Sequence, residues 1–368
     1  MDDGKVVKGR GADRQVANRF LRHHYGVADW SGIDEPELGV DQATQVLPTF
    51  PRTILNRVDS PDLPFTWSLN PYQGCEHGCS YCYARPTHEY WGYSAGLDFE
   101  RVILVKREAP VLLEKALRTS AWKAEPIMLS GATDPYQPVE RQERLTRACL
   151  ELCLRFGQPV SVITKNALVL RDIDLLAEMA RERRAAVAIS LTTLNEDLRR
   201  VLEPRTSTAA NRLKAMELLA AAGVPVYAMI APVIPTLNGP EIPALLRAAR
   251  DAGASGAGYT VLRTNGPVGP IFRAWLQHHF PERAAKVIAQ TSALHGGRMD
   301  DVRSGVRMRG EGPFALQIHR LFTVMRRRIF GQGGFPALDG SGFRPPPQGQ
   351  LDLFAESPNG PPQNPPAR

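Results

Sequence analysis

Several things are missing from this chain of 368 residues. No run of about 18 apolar residues occurs, which excludes a membrane-spanning helix. The opening Met1-Asp2-Asp3-Gly4-Lys5 has no apolar core of a secretion signal, so a cytoplasmic location is expected. No repeat of fixed period is present. Cysteine is scarce: five in all, an odd number, with three of them inside residues 75–82. A disulfide framework of a secreted domain would be distributed differently, and a reducing compartment with a metal site fits this pattern better.

What is present is a 43% hydrophobic composition, enough for one large domain or two small ones, and a net charge of +7. The excess is carried by arginine, in groups at Arg181, Arg183 and Arg184, at Arg303, Arg307 and Arg309, and at Arg326, Arg327 and Arg328. Such a balance favours phosphate-bearing partners, with solvated arginine faces as the competing reading. Residues 1–45 mix charge and glycine without periodicity and read as a mobile arm. Residues 336–368, with Pro345-Pro346-Pro347, read as a disordered tail.

Between them, over residues 46–335, strands and helices alternate. Apolar runs at Phe65–Leu69, Val102–Val105, Ile127–Leu129, Val160–Thr164, Ala186–Leu191, Val226–Ile230 and Ala257–Leu262 predict strands. Arg141–Phe156 has a helical apolar face with Leu145, Cys149, Leu152 and Phe156, and Ser207–Ala222 closes on Gly223. Repeated strand–helix units imply a parallel sheet covered by helices, closed or partly open as a barrel, with chemistry at the carboxyl ends of the strands. Cys149 and Cys153, four apart on that helix, read as small core hydrophobes.

The segment Gly74-Cys75-Glu76-His77-Gly78-Cys79-Ser80-Tyr81-Cys82-Tyr83-Ala84 follows the strand Phe65–Leu69. Its spacing is Cys-x3-Cys-x2-Cys. Thiolates are iron–sulfur ligands, and three of them hold three irons of a cubane, leaving the fourth open to a small molecule. S-adenosylmethionine (SAM) can chelate that iron and be cleaved by one electron to a 5′-deoxyadenosyl radical. A structural zinc site is the alternative, but it needs four closed ligands and would have to recruit His77.

This spacing, with an aromatic residue before the last cysteine, resembles the radical SAM superfamily. Cys79-Ser80-Tyr81-Cys82-Tyr83-Ala84 is similar to the spore photoproduct lyase-related branch, often labelled DNA repair photolyase. So are Ala132-Thr133-Asp134-Pro135-Tyr136, Ile163-Thr164-Lys165-Asn166, Glu203-Pro204-Arg205 and Ala231-Pro232-Val233-Ile234-Pro235-Thr236-Leu237-Asn238. The resemblance covers about residues 50–330 and implies an α/β fold: a partial (βα)6, TIM-like barrel of the radical SAM type with a C-terminal helical extension. It implies a [4Fe–4S] cluster on Cys75, Cys79 and Cys82, with SAM across the strand ends and Tyr81 behind the adenine. Thr133 and Asp134 would accept from the SAM ammonium and Lys165 would pair with its carboxylate, while Ser190 and Thr192 would meet the ribose or methionyl group. Turn chemistry is the plainer account of Asp134, and a solvated loop that of Lys165.

One departure stands out. Spore photoproduct lyases carry a hydrogen-donor cysteine in the stretch matching Leu129-Ser130-Gly131-Ala132-Thr133-Asp134, and here Gly131 occupies that place. The radical machinery is therefore expected to be kept and the substrate changed. Tyr90, Trp91 and Tyr93 are candidates for stacking on bases, with core packing as the competing role. In the tail, Gln350-Leu351-Asp352-Leu353-Phe354 resembles the peptide by which bacterial repair proteins bind the sliding clamp, with Leu353 and Phe354 entering an apolar pocket. The resulting expectation is a radical SAM enzyme, lyase-like, acting on nucleic acid. It would be reduced by a protein such as flavodoxin or ferredoxin. The alternatives are radical modification of RNA, protein or a small molecule, and a non-enzymatic, zinc-stabilised nucleic-acid-binding module.

Overall fold

A computed structural model describes residues 9–12, 15–20 and 43–347. Its strands are β1 (Gln45–Pro48), β2 (Leu55–Arg57), β3 (Trp67–Leu69), β4 (Tyr72–Gln73), β5 (Val102–Val105), β6 (Ile127–Leu129), β7 (Val160–Thr164), β8 (Ala185–Ser190), β9 (Val226–Val233) and β10 (Gly256–Val261). The main sheet runs β10-β9-β8-β7-β6-β3-β2. Its neighbours from β3 to β10 are all parallel, and β2 adds antiparallel to β3. Six parallel strands with helices between them form the expected partial (βα)6 barrel. The runs fold this way because both faces are covered: all six residues of β8 are buried, and a strand with no solvated face needs no alternation.

One of the seven expected strands lies elsewhere. β5 pairs parallel with β1 and antiparallel with β4, making a separate three-stranded sheet beside the cysteine loop. The helix expected over Arg141–Phe156 is broken at Arg144, whose φ of 52° is left-handed, into Glu140–Glu143 and Leu145–Phe156. Cys149 and Cys153 are buried within the main core, as read. The second helix starts at Ala209, because the Thr208 side chain caps it by accepting from the Asn211 amide, and it ends at Ala221.

Both ends of the chain require correction. The supposed mobile arm is pinned at its described residues. The amides of Gly11 and Ala12 donate to the Glu100 carboxylate at 3.0 and 2.8 Å, and Arg10 donates to the Glu100 carbonyl at 2.6 Å. Asn18 donates to the carbonyls of Glu89 and Tyr93. The approach is so close that a Cβ on Gly11 would lie 1.6 Å from the Gly78 carbonyl oxygen. The tail is likewise ordered at its start. Residues 333–347 form a strap across the loops that lead into the barrel strands. Asp339 and Arg344 amides donate to the carbonyls of Arg183 and Phe156, and Phe343 packs on Phe156. The clamp-like peptide 350–354 lies outside the described residues.

The arginine group at 303–309 is engaged by the protein itself. Arg303 pairs with Asp301 and Glu311, Arg307 bonds Asp62 and Ser60, and Arg309 lies over the Tyr259 ring. The Val261 amide donates to Met308, and the Gly305 amide to Asp62, so residues 299–310 tie the β10 edge to the loop between β2 and β3. Among the described residues no helix is long and apolar enough to cross a membrane.

Candidate active site

The cysteines sit on the loop after β3 and β4, at the carboxyl ends of the barrel strands. Gly74 and Gly78 both have left-handed backbones, φ 80° and 65°. A Cβ on Gly74 would stand 2.7 Å from the Val102 carbonyl oxygen, and one on Gly78 2.7 Å from a Glu100 carboxylate oxygen, so only glycine lets the loop turn here. Arg85, fully buried three residues after Cys82, clamps the loop. It donates twice to the Cys79 carbonyl, at 3.1 and 2.8 Å, once each to Ala95 and Gly96, and it pairs with Glu100. The Cys75 amide is held by the Phe99 carbonyl at 2.8 Å.

All three cysteines are free, and Cys82 packs against both the Cys75 and the Cys79 clusters. Burial pushes the Cys75 and Cys79 thiols well up. Next to burial, negative neighbours add to this: Asp134 for Cys75 and Glu203 for Cys79. Thiols buried together in this way ionise only against a compensating cation, which suits a metal cluster. His77 does not complete a zinc site. Its Nδ1 lies 3.4 Å from Asp134 and its Nε2 3.2 Å from the Asn166 amide. Among the described residues no three His, Cys, Asp or Glu side chains converge closely enough for a single ion. The donor set fits a wider body held by three thiolates.

Around the loop stand the other expected residues. Asp134 is a hub. Its Oδ1 accepts from Thr164 at 2.7 Å and the Tyr136 amide at 2.9 Å, and its Oδ2 accepts from the Lys165 amide at 2.8 Å. Burial opposes its ionisation, but the His77 ring and these bonds outweigh burial and hold it at about 2. With both oxygens occupied, it positions its neighbours; it is not an open acceptor. Thr133 differs: its Oγ1 is buried with no partner among the described residues. The Lys165 ammonium has no ion pair or hydrogen bond among them and stands 5.9 Å over the Tyr81 ring. Ser190 is buried at the end of β8, while the Thr192 hydroxyl donates to Glu203 at 2.7 Å and is thereby committed.

Sequence reading assigned no role to Glu203. Its buried carboxylate accepts from Tyr81, Thr192 and Arg212. Burial would raise it, but the charges of Arg212 and Lys165 keep it at about 2. Arg212, fully buried, also donates to the carbonyls of Ser207 and Ser190. The motif Glu203-Pro204-Arg205 was the available signal; the Arg205 amide donates to the His77 carbonyl, so the motif anchors the cysteine loop from across the barrel. Of the aromatic trio, Tyr93 stacks on buried His88, whereas Tyr90 and Trp91 are exposed and Phe20 lies tilted against Tyr90 with ring centroids 4.9 Å apart.

A parallel half-barrel with three loop cysteines at its carboxyl rim is the architecture of one class of enzymes, and the comparisons agree. The model of the radical SAM superfamily matches residues 69–249. An uncharacterized protein of Mycobacterium tuberculosis is 36% identical over 238 residues, 64% of this chain and 70% of its own length. One of Methanocaldococcus jannaschii is 30% identical over 170 residues, 46% and 61% respectively. Spore photoproduct lyase complexed with dinucleoside spore photoproduct has the same fold, with TM-score 0.55 at 17% identity over 78% of this chain and 80% of that one. A mutant of that lyase with bound AdoMet superposes with TM-score 0.54 at 16% identity, over the same shares. The chain belongs to the radical SAM superfamily. Its cofactors are those of the superfamily, a [4Fe–4S] cluster and SAM.

Proposed function

We propose that Cys75, Cys79 and Cys82 hold the [4Fe–4S] cluster and that the enzyme acts on nucleic acid, as a lyase-like member of the spore photoproduct lyase-related branch. The observation that carries the reading is the meeting of three free thiols, those of Cys75 and Cys79 buried and that of Cys82 half-buried, with a lysine, Lys165, that has no ion pair among the described residues, on one rim of the barrel. A cluster held there would supply one electron for the reductive cleavage of SAM. The chain's own groups bind and orient. Lys165 receives the SAM carboxylate, with its backbone fixed by Asp134. Thr133 Oγ1 and Ser190 are the polar contacts left for the rest of SAM. Tyr81, tethered by Glu203, flanks the loop where the adenine belongs.

The nucleic-acid reading is supported by the net charge of +7 and by the dinucleoside ligand of the lyase with the same fold. Gly131 has φ 114°, a backbone that a cysteine rarely adopts, so this loop is not shaped for the donor thiol and the substrate differs from spore photoproduct. The 350–354 peptide supports docking to a sliding clamp, and a protein such as flavodoxin or ferredoxin would deliver the electron.

The test is anaerobic reconstitution with iron and sulfide, then dithionite and SAM. Formation of 5′-deoxyadenosine that disappears in Cys79→Ala is the expected result; a colourless protein that leaves SAM intact removes the reading. Deuterium appearing in 5′-deoxyadenosine from labelled DNA, and not from labelled RNA or peptide, identifies the substrate class.

A further inference from the structure

Arg263 lies two residues beyond β10, at the carboxyl rim. Its guanidinium stands over the Tyr83 ring, 5.3 Å from the centroid, and Tyr83 directly follows Cys82. Tyr83 is 55% exposed, so the pair faces the mouth of the barrel. Arg263 itself is half-buried. Among the described residues it makes no hydrogen bond and no ion pair, and the acids within its electrostatic reach are already taken. Asp62 is held by Arg307 and the Gly305 amide, and Asp301 by Arg303, whose second partner is Glu311. An unpaired arginine in open solvent is hydrated and ordinary. A half-buried one has lost part of its water and gained no acceptor, which costs free energy unless a ligand supplies one.

We propose that Arg263, stacked on Tyr83, is an anion subsite that takes a backbone phosphate of the nucleic-acid substrate. A guanidinium held over the ring at the rim can offer two N–H donors to two phosphate oxygens, a geometry lysine cannot reproduce. Lys165 acts on Tyr83 from the β7 side and Arg263 from the β10 side. The cysteine loop thus has a free cation on either flank: one for the SAM carboxylate, and one for a phosphate that draws the adjoining nucleotide toward the loop. This inference rests on the nucleic-acid reading above.

The experiment measures binding of a fluorescent single-stranded oligodeoxynucleotide to the full-length reconstituted protein as salt is varied. It is repeated with a methylphosphonate oligonucleotide of the same sequence, which lacks backbone charge. Arg263→Gln is expected to weaken binding about tenfold at low salt and to flatten the plot of log affinity against log salt by about 0.7, the share of one phosphate on a single strand. Arg263→Lys should recover part of the salt slope and less of the affinity. Arg303→Gln, which removes an arginine already neutralised within the fold, should leave the slope unchanged. Since Arg263 makes no hydrogen bond and no ion pair among the described residues, its variants should melt close to the wild type, and Arg263→Met serves as a second neutral variant. Wild-type binding that Arg263→Gln and Arg263→Met leave untouched overturns the subsite and spares the nucleic-acid reading. Equal affinity for the methylphosphonate strand overturns it as well. Failure of the wild type to bind either strand removes the nucleic-acid reading, and the subsite with it.

Discussion

At the amino ends of the barrel strands the chain covers itself, whereas at the carboxyl ends it stops short of doing so. The strap over residues 333–347 meets loop after loop with its own backbone: Asp339 and Arg344 amides on Arg183 and Phe156 carbonyls, and Arg118 on the Pro346 carbonyl at 2.7 Å. Arg183 closes on Asp339 at 2.9 Å. The carboxyl rim buries charged groups such as Glu203 and Arg212, yet it leaves the Thr133 hydroxyl and the Lys165 and Arg263 cations without hydrogen-bonding partners among the described residues. One end is closed by the protein's own backbone; the other keeps polar groups without partners among the described residues. The same chemistry, an arginine meeting a carboxylate, therefore carries very different weight at the two ends.

The sharpest way to test that contrast is Glu203→Ala. It strips the carboxylate from Tyr81, Thr192 and Arg212 and leaves Arg212 buried with its charge uncompensated. Removing one member of a buried pair costs about 3–5 kcal/mol. Denaturant unfolding should show a loss of that size. A loss below about 1 kcal/mol would mean that solvent reaches the network and that the two ends are not so different.

Acid probes the carboxyl end more gently. Burial holds His88, packed between Tyr93 and Phe99 under the cysteine loop, at about 4, below the ordinary histidine value of 6.5. Between these values the unfolded chain takes up a proton that the folded chain refuses. Stability therefore falls as pH drops through that window, by on the order of 3 kcal/mol when complete. Glu203 and Asp134, each held at about 2, contribute stability that is present above the ordinary carboxylate values of 4.5 and 3.8 and is lost as pH falls from there toward 2. A pH series of unfolding free energies should therefore show two descents, and His88→Leu should remove the first and spare the second. A single descent shared by both proteins would place His88 in water.

These effects also mark where sequence reading stops. The barrel strands were legible because a doubly covered strand is a plain apolar run, but the run Val102–Val105 carries no label for the sheet it joins. Arg144 broke a helix that periodicity made continuous, since nothing in its composition announces a left-handed arginine. The glycines and prolines of the two termini read as disorder. What orders them is tertiary: Glu100 receiving the amides of Gly11 and Ala12, and carbonyls at the strand entries receiving the strap. At the site, spacing alone singled out the cysteines. Lys165 has no ion pair among the described residues, whereas Asp134 is filled by its own neighbours, and the partnership of Tyr81 with Glu203 spans 122 residues that only folding brings together.

The smallest effect belongs to the strap. Asp339→Ala removes an ion pair whose arginine is 72% exposed, and exposed pairs contribute about 0–1 kcal/mol because water screens the charges and the side chains lose freedom in pairing. The Asp339 amide still reaches the Arg183 carbonyl, so the backbone contact survives the substitution. Phe343→Ala should cost more, about 1–2 kcal/mol, since it exposes part of the Phe156 face that it covers. Neither residue touches the rim, so production of 5′-deoxyadenosine at a temperature well below unfolding should be unchanged in both variants. A fall in that production, with the fold intact, would show that the strap transmits to the other end of the barrel and that the two faces are coupled.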